Sequence, residues 1–126
     1  MAKGLSATQR TLRELRNQGR VAEITEKWVT NPKLPGGGFR KDLFGIIDVL
    51  ALDPERGFVG VQCCTGGYQA HLRKMIEEKA QESLDWLNTP GGCLELWSWR
   101  KVKVKRGGKA MIWKPRIKEI TKGDIL

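Results

Sequence analysis

GIIDVLALD, residues 45–53, and FVGVQCC, residues 58–64, are the two stretches of the sequence that decide the fold. Each is almost continuously apolar, which is typical of a strand that is covered on both faces of a sheet. The segment between them, PERG, contains a proline and a glycine and favours a tight turn. The pattern therefore predicts two buried strands that run antiparallel beside each other.

Each of these strands carries one strongly polar side chain in its interior, Asp48 in the first and Gln62 in the second. A buried carboxylate is costly unless it is paired, protonated or bound to a cation. If the strands pair in register, the side-chain oxygen of Gln62 approaches Asp48, and with a main-chain carbonyl the two begin an octahedral magnesium site. A structural hydrogen bond between Asp48 and Gln62 would satisfy the same residues, so both interpretations stay open.

The rest of the chain supplies helices and further strands around this pair. In chain order we expect a helix that Ser6 caps and Gly19 ends, a weak strand over 21–29, a loop over 31–38, a helix over 68–87, and strands over 93–104 and 111–120. A hairpin turn at 106–109 joins the last two strands. The order predicts an α/β fold with a mixed central sheet flanked by helices, and the length predicts a single domain over residues 1–126.

The chain is strongly basic, with 23 Lys and Arg against 14 Asp and Glu and a net charge of +9. Such an excess favours polyanionic partners through counterion release, although a solvated face that aids solubility is the alternative. From Arg100 onward there are ten basic and two acidic residues. We expect phosphate contacts from Arg40, Lys41, Arg100, Lys101, Lys103, Lys105, Arg106 and Lys109. Trp97 and Trp99 would either stack on bases beside these lysines or pack in the core.

Two classes of protein are disfavoured by the composition. No apolar run approaches the roughly 20 residues of a membrane span, and the first 20 residues are polar, so we expect a cytoplasmic protein with no membrane partner. The three cysteines include no C-x-x-C pair. Reduced, buried cysteines are therefore expected rather than a disulfide framework or a zinc site.

The order of helix, strand, Asp-bearing strand, strand with a polar residue, long helix and strand resembles the core of the PD-(D/E)XK nuclease superfamily, particularly archaeal-type Holliday junction resolvases. Residues 47–52 are similar to the strand that carries the family's metal-binding aspartate, and residues 61–64 fall where the family has its (D/E)-x-K strand. The resemblance implies a restriction-endonuclease-like αβββαββ fold. It also implies Mg²⁺- or Mn²⁺-dependent endonuclease activity on structured DNA and, because junction-cutting members act as dimers, a homodimer.

The chain departs from the family pattern at three points: Gln62 stands in place of the acid, Cys64 stands in place of the lysine, and the acid near the start of the first helix is missing. Either Lys74 or Arg73 on the following helix reaches back to replace the lysine, or this member does not cut. In the second case it is a DNA-binding or accessory protein of a phage or mobile element.

The resemblance also implies roles for individual residues. Asp48 would anchor the ion, Gln62 would ligate it weakly through a neutral oxygen, and Lys74 would steady charge on the phosphate. Asp42 and Glu26 are further candidate ligands, with exposed or loop-capping carboxylates as the alternative. His71, the only histidine, is either a general base or a surface residue without a role in the reaction.

Overall fold

A computed structural model describes residues 4–125 of the chain. Its elements are α1 (Ala7–Asn17), β1 (Ala22–Ile24), β2 (Lys27–Thr30), β3 (Gly38–Lys41), β4 (Val49–Asp53), β5 (Gly57–Thr65), α2 (Tyr68–Arg73), α3 (Ala80–Asn88), β6 (Gly92–Lys103), β7 (Met111–Ile120) and α4 (Lys122–Ile125). The predicted capping box at the start of α1 is present, since the Ser6 side chain accepts from the Gln9 amide and Gln9 reaches back to Ser6.

Five of the strands form one sheet in the order β1-β4-β5-β6-β7. The β1–β4, β4–β5 and β6–β7 pairs are antiparallel, and the β5–β6 pair is parallel. A parallel neighbour requires a crossover, and α2 and α3 supply it between β5 and β6. The mixed sheet with helices confirms the predicted α/β class.

The β4–β5 hairpin has the register that brings the two polar residues together. Val49 lies opposite Val61, so the next pair outward is Asp48 and Gln62, and the Asp48 amide donates to the Val61 carbonyl at 2.8 Å. The predicted strand over 45–53 begins only at Val49, however. The residues before it form a turn in which Gly45 has φ +74°. Asp48 therefore lies at the entrance of the strand rather than in its middle.

Hydrophobic clusters cover both faces of the sheet. On one face α1 contributes Leu15, which packs with Val59, Val61 and both tryptophans of β6. On the other, Met75 packs with Ile47, Leu94 and Leu96. Gly60 permits this second contact, because a Cβ at Gly60 would collide with the Ile47 side chain.

The tryptophans of β6 belong to the core and not to a base-stacking surface. Trp97 and Trp99 are only 2% and 5% exposed. Their indole N–H groups are also satisfied inside the protein, since Trp97 Nε1 donates to Glu95 Oε1 and Trp99 Nε1 donates to Thr11 Oγ1, both at 2.9 Å. The stacking interpretation of these two residues is therefore wrong, because α1 covers the face on which they lie.

The predicted strand over 21–29 divides into two strands that serve different sheets. β1 joins the main sheet, whereas β2 pairs with β3 in a separate two-stranded hairpin. The predicted loop over 31–38 forms the tip of this hairpin. Gly38 is required at its base, because a Cβ there would collide with the Val29 carbonyl and the Trp28 ring.

The predicted helix over 68–87 is interrupted by one wide turn. Residues Lys74–Glu78 are π-helical, and the Lys79 amide donates to the Lys74 carbonyl at 2.7 Å, five residues back. Ser83 is buried beneath the interruption, and its hydroxyl donates to the Met75 carbonyl at 2.7 Å. Such turns often occur at functional sites, and this one begins at Lys74.

The described residues also bear on the expectations about membrane spans and cysteines. Within 4–125, no helix is both long enough and apolar enough to cross a membrane. Cys63 and Cys64 are buried, Cys93 is half-buried, and all three are free thiols, as the spacing predicts.

Candidate functional site

Three acidic residues from separate segments of the chain converge at the entrance of β4. Glu26 follows Thr25, whose backbone amide donates to the Asp48 carbonyl at 2.8 Å and whose hydroxyl donates to the Ile47 carbonyl at 2.9 Å. Asp42 is folded back by the turn before β4, in which the Leu43 amide donates to the Ile47 carbonyl at 2.9 Å. These backbone bonds hold Glu26 and Asp42 beside Asp48, and we call the three residues the acidic cluster.

The acidic cluster could hold a metal ion. One carboxylate oxygen from each residue lies within 4.8 Å of the other two. Magnesium binds oxygens at about 2.1 Å, so two ligands on opposite sides of the ion are about 4.2 Å apart. Movements of under about 1 Å would therefore give three carboxylate ligands, the donor type that hard divalent cations prefer.

Gln62 binds Asp48, but through its nitrogen. Gln62 Nε2 donates to Asp48 Oδ2 and lies 3.4 Å from Asp42 Oδ2, while the Cys63 amide donates to Asp48 Oδ2 at 2.9 Å. The expected hydrogen bond between Asp48 and Gln62 is present, and the Gln62 oxygen faces Lys74 instead of the carboxylates. Ligation of an ion by that oxygen would require the amide to rotate by about 180°.

Lys74 reaches the acidic cluster from the π-helical turn. Its Nζ lies 3.3 Å from Asp42 Oδ2 and 3.2 Å from Gln62 Oε1. The neighbouring Arg73 instead pairs with Glu77 on the exposed side of the helix. Of the two candidates for the displaced lysine, the structure therefore brings only Lys74 to the carboxylates.

Burial and crowding change the protonation of the two aspartates. Burial, followed by a hydrogen bond with Asp42, raises the pKa of Asp48 to about 8. Burial also acts to raise the pKa of Asp42, but the hydrogen bond with Asp48 and the charge of Lys74 lower it overall. The pKa values of the two carboxyl groups therefore shift in opposite directions, and Asp48 is the one that holds a proton more strongly. A bound cation would take over the charge compensation that this proton provides.

Open clefts border the acidic cluster on two sides. One, of about 550 Å³, is lined by Asp42, Arg40 and Lys74 together with Lys41 and Lys79. The other, of about 630 Å³, is lined by Glu26 and Arg40 next to the start of α1. Arg40 contributes to both clefts and pairs with Glu26 at 3.0 Å. A ligand can therefore approach the acidic cluster along either cleft.

The basic end of β6 and β7 projects beyond the sheet. β5 ends at Thr65, opposite Trp99, so residues 100–103 pair only with residues 111–114. We call residues 100–114 the basic ribbon. All six of its predicted phosphate contacts are exposed, namely Arg100, Lys101, Lys103, Lys105, Arg106 and Lys109. Trp113 at its base lies under Arg10, at 4.1 Å, and Lys101, at 5.4 Å.

The acidic cluster lies toward the end of the sheet from which the basic ribbon emerges. Gln62, opposite Asp48, pairs with Leu96 of β6, four residues before Arg100. Strand spacings of about 4.8 Å and rises of about 3.3 Å per residue give a separation of about 16 Å between Asp48 and the start of the ribbon. This is about half of the helical repeat of B-DNA.

Two other candidates lie outside the acidic cluster. His71 Nδ1 is 3.0 Å from the Gly67 carbonyl at the start of α2, a helix-end contact. Cys64, which the sequence resemblance aligns with a lysine, is buried in the hydrophobic cluster beneath α2 and α3. Burial raises its thiol pKa. Neither the imidazole nor the thiol has a hydrogen bond to the carboxylates within the described residues.

Two exposed aromatic residues beside the acidic cluster were missed by the sequence analysis. Phe39 and Phe44 line the 550 Å³ cleft and are 43% and 57% exposed. Phe44 also has φ +56°, the one positive value at a non-glycine residue in the described chain. In the sequence, each of these phenylalanines stands next to a glycine in a segment that otherwise resembles a loop. This is the pattern that could have indicated an exposed aromatic residue.

Comparison with known proteins gave no relative for this chain, as no family model, curated protein or solved structure matches it.

Proposed function

We propose that the protein is a magnesium-dependent endonuclease that hydrolyses phosphodiester bonds of structured DNA. The observation that carries the proposal is the acidic cluster, in which one oxygen of each of three carboxylates lies within 4.8 Å of the other two and Lys74 lies against Asp42. A divalent ion and a lysine beside it favour phosphoryl hydrolysis, since both compensate charge on the phosphate oxygens.

The order of the elements supports a restriction-endonuclease-like core. A helix, an antiparallel meander of β1, β4 and β5, a helical crossover and the parallel strand β6 follow in the order that the sequence resemblance implies. The β2–β3 hairpin is an insertion within this order. It carries Arg40 and Lys41 to the border of the acidic cluster.

Each polar residue of the site has a distinct part in this proposal. Asp48, Asp42 and Glu26 would hold Mg²⁺ or Mn²⁺, which when bound polarises the phosphate and lowers the pKa of water. The Lys74 ammonium, which lies beside Asp42, would bind an oxygen of the scissile phosphate. Gln62 positions the site, because its amide bridges the Asp48 carboxylate and the Lys74 ammonium.

The basic ribbon and the β2–β3 hairpin would hold the DNA on either side of the acidic cluster. The exposed lysines and arginines of the ribbon are spaced along a two-stranded arm, a shape that can follow a DNA groove or backbone. We include a homodimer in the proposal, since two symmetric cuts in a branched substrate require two sites.

A DNA-binding protein without nuclease activity is the second candidate. The observation that favours it is the amide of Gln62, which donates to the Asp48 carboxylate where the family has a second acid. A donor in that position satisfies Asp48 without a cation. The two candidates share the basic surfaces and differ only at the acidic cluster.

A cleavage assay separates these candidates. The purified protein is incubated with Mg²⁺ or Mn²⁺ and with labelled duplex, forked and four-way DNA, alongside the Asp48→Asn variant. We expect the wild type to cut at least one branched substrate, and the variant to lose cleavage by about 100-fold or more while it binds DNA normally. Intact DNA in every reaction with the folded wild type refutes the nuclease and leaves the binding protein.

A further inference from the structure

We infer that the 550 Å³ cleft beside the acidic cluster binds an unpaired DNA strand, with bases stacked on Phe39 and Phe44. The preferred substrate would then be DNA with a single-stranded segment, such as a fork or a flap. The inference deepens the proposed function and rests on it for the role of the acidic cluster. The binding of an unpaired strand stands on separate observations.

The first observation is the combination of aromatic and basic side chains in one cleft. Phe39 and Phe44 line it together with Arg40, Lys41, Lys74 and Lys79, against two acids, Asp42 and Glu82. Lys79 already lies 3.7 Å from Glu82, and Lys74 lies 3.3 Å from Asp42. Exposed rings among cations are the arrangement that holds single strands, because the rings stack on bases and the cations contact phosphates.

The second observation is the backbone at Phe44. A φ of +56° is a backbone conformation that bulky L residues disfavour, yet the turn keeps a ring there that remains 57% exposed. The ring lies beside Trp86, with 6.3 Å between the ring centroids and a tilted arrangement. The strained backbone therefore holds an apolar ring in solvent, so burial of the ring does not explain the strain.

The third observation is that Lys79 and Lys74 both line the cleft and that Lys74 reaches the acidic cluster. Both border the interruption between α2 and α3, and the Lys79 side chain crosses Gly45, where a Cβ would lie 3.0 Å from Lys79 Cε. Lys74 lies between the cleft and the acidic cluster. A strand whose phosphates follow these two lysines would lead directly to the carboxylates.

The occupant is an unpaired strand rather than a duplex because of what phenylalanine can recognise. In a duplex both faces of each base are covered by its neighbours, and a phenyl ring has no hydrogen-bonding group for base edges. Only an unstacked base offers a free face to Phe39 or Phe44. The cations supply charge complementarity to its backbone.

The test measures binding without metal, so that cleavage plays no part. Fluorescence anisotropy in a chelator compares a single-stranded thymidine 20-mer with a blunt duplex of equal length. The variant Phe39→Leu/Phe44→Leu keeps apolar bulk against Trp86 but removes both aromatic faces. We expect roughly 10-fold or greater loss of affinity for the single strand and less than about twofold for the duplex.

Matched variants control for folding and for general loss of an exposed ring. Phe58 is 52% exposed and lies at the opposite end of β5, so Phe58→Leu should leave both affinities unchanged. Phe44→Tyr should retain single-strand binding because it keeps the aromatic face. Melting curves confirm that each variant is folded.

The outcomes distinguish this inference from the proposed nuclease. Equal affinity of the folded double variant and the wild type for the single strand overturns the inference, as does an equal loss for strand and duplex. A change in oligomeric state with unchanged single-strand affinity also overturns it and assigns the rings to a contact between copies. If strand binding depends on the rings but no DNA is ever cut, the inference stands and the nuclease fails.

Discussion

The acidic cluster and the basic ribbon are both highly charged, but the structure holds their charges in opposite ways. Asp48 is 3% exposed, and its carboxylate accepts hydrogen bonds from Gln62 and Cys63. The lysines and arginines of the ribbon are exposed to solvent along a two-stranded arm. Charges that share partners depend on one another, whereas solvated charges act almost independently. The acidic cluster should therefore respond to single substitutions strongly, and the ribbon weakly and additively.

Removal of the Lys74 ammonium should have the largest effect among the following changes. If the protein is the proposed nuclease, Lys74→Ala should lower the single-turnover cleavage rate by roughly 10- to 100-fold, because the positive charge that would stabilise the phosphate is lost. Its matched control is Arg73→Ala, since Arg73 pairs with Glu77 away from the carboxylates. A rate for Lys74→Ala within twofold of that of Arg73→Ala would show that the lysine has only a structural role.

An added carboxylate in the acidic cluster should strengthen ion binding. Gln62→Glu converts the amide beside Asp48 into an acid, so we expect about 10-fold tighter Mn²⁺ binding by calorimetry. The same variant should melt at a lower temperature without metal, because another anion is buried there. Gln69→Glu on exposed α2 is the control and should change neither quantity. Unchanged or weaker Mn²⁺ binding in Gln62→Glu contradicts the placement of the ion.

Neutralisation of Asp48 should stabilise the metal-free protein. Burial raises the pKa of Asp48 to about 8, above its unfolded value of about 3.9. Folding then takes up a proton between these values, so the stability from this group is present at low pH and is lost as pH rises through about 8. Asp48→Asn has no group that titrates at this position, so its stability should not fall in this way as the pH rises.

We therefore expect Asp48→Asn to melt at a higher temperature than the wild type near pH 9 without metal. The gain should be on the order of 1 kcal/mol, about a fivefold change in the folding equilibrium. Thermal melting at about pH 5 and about pH 9 measures it, with exposed Glu23→Gln as the control. A variant that is less stable than the wild type at both pH values would show that the carboxylate is needed for folding.

Substitutions in the basic ribbon should give the smallest effects. Lys101→Ala, Lys103→Ala and Lys105→Ala should each weaken duplex binding by roughly two- to fivefold, and their combination should approach the product of the single effects. The slope of log affinity against log salt should fall by about one for each lysine that contacts a phosphate. The exposed Lys33, on the β2–β3 hairpin tip, provides the control. A salt slope that stays unchanged in the triple variant would show that the ribbon does not contact DNA phosphates.

The sequence was sufficient for the parts of the fold that depend on local pattern. The two apolar runs predicted β4 and β5 and their pairing, and the opposition of Asp48 and Gln62 follows from their register. Lys74 could be named, together with Arg73, because Cys64 stands in the lysine's place in the resembled motif and the helix that carries both residues follows β5 directly. These features depend on near neighbours along the chain.

The remaining features depend on contacts that no local pattern contains. Glu26 and Asp42 meet Asp48 because the β2–β3 hairpin leaves the main sheet, and the sequence over 21–29 predicts one strand with no sign of this division. The wide turn at Lys74–Glu78 has a normal helical sequence, and its bond from the buried Ser83 hydroxyl to the Met75 carbonyl joins residues eight positions apart. The sequence places Trp99 on the same face of β6 as Lys101 and Lys103. It is instead covered by α1, where its indole N–H donates to Thr11.

A crystal soaked in Mn²⁺ tests the central claim most directly, because manganese is located by its anomalous scattering. We predict an anomalous peak within about 2.2 Å of carboxylate oxygens from Asp48, Asp42 and Glu26. A fully soaked crystal with no peak there, and with the Gln62 amide still bound to Asp48, would contradict the metal site.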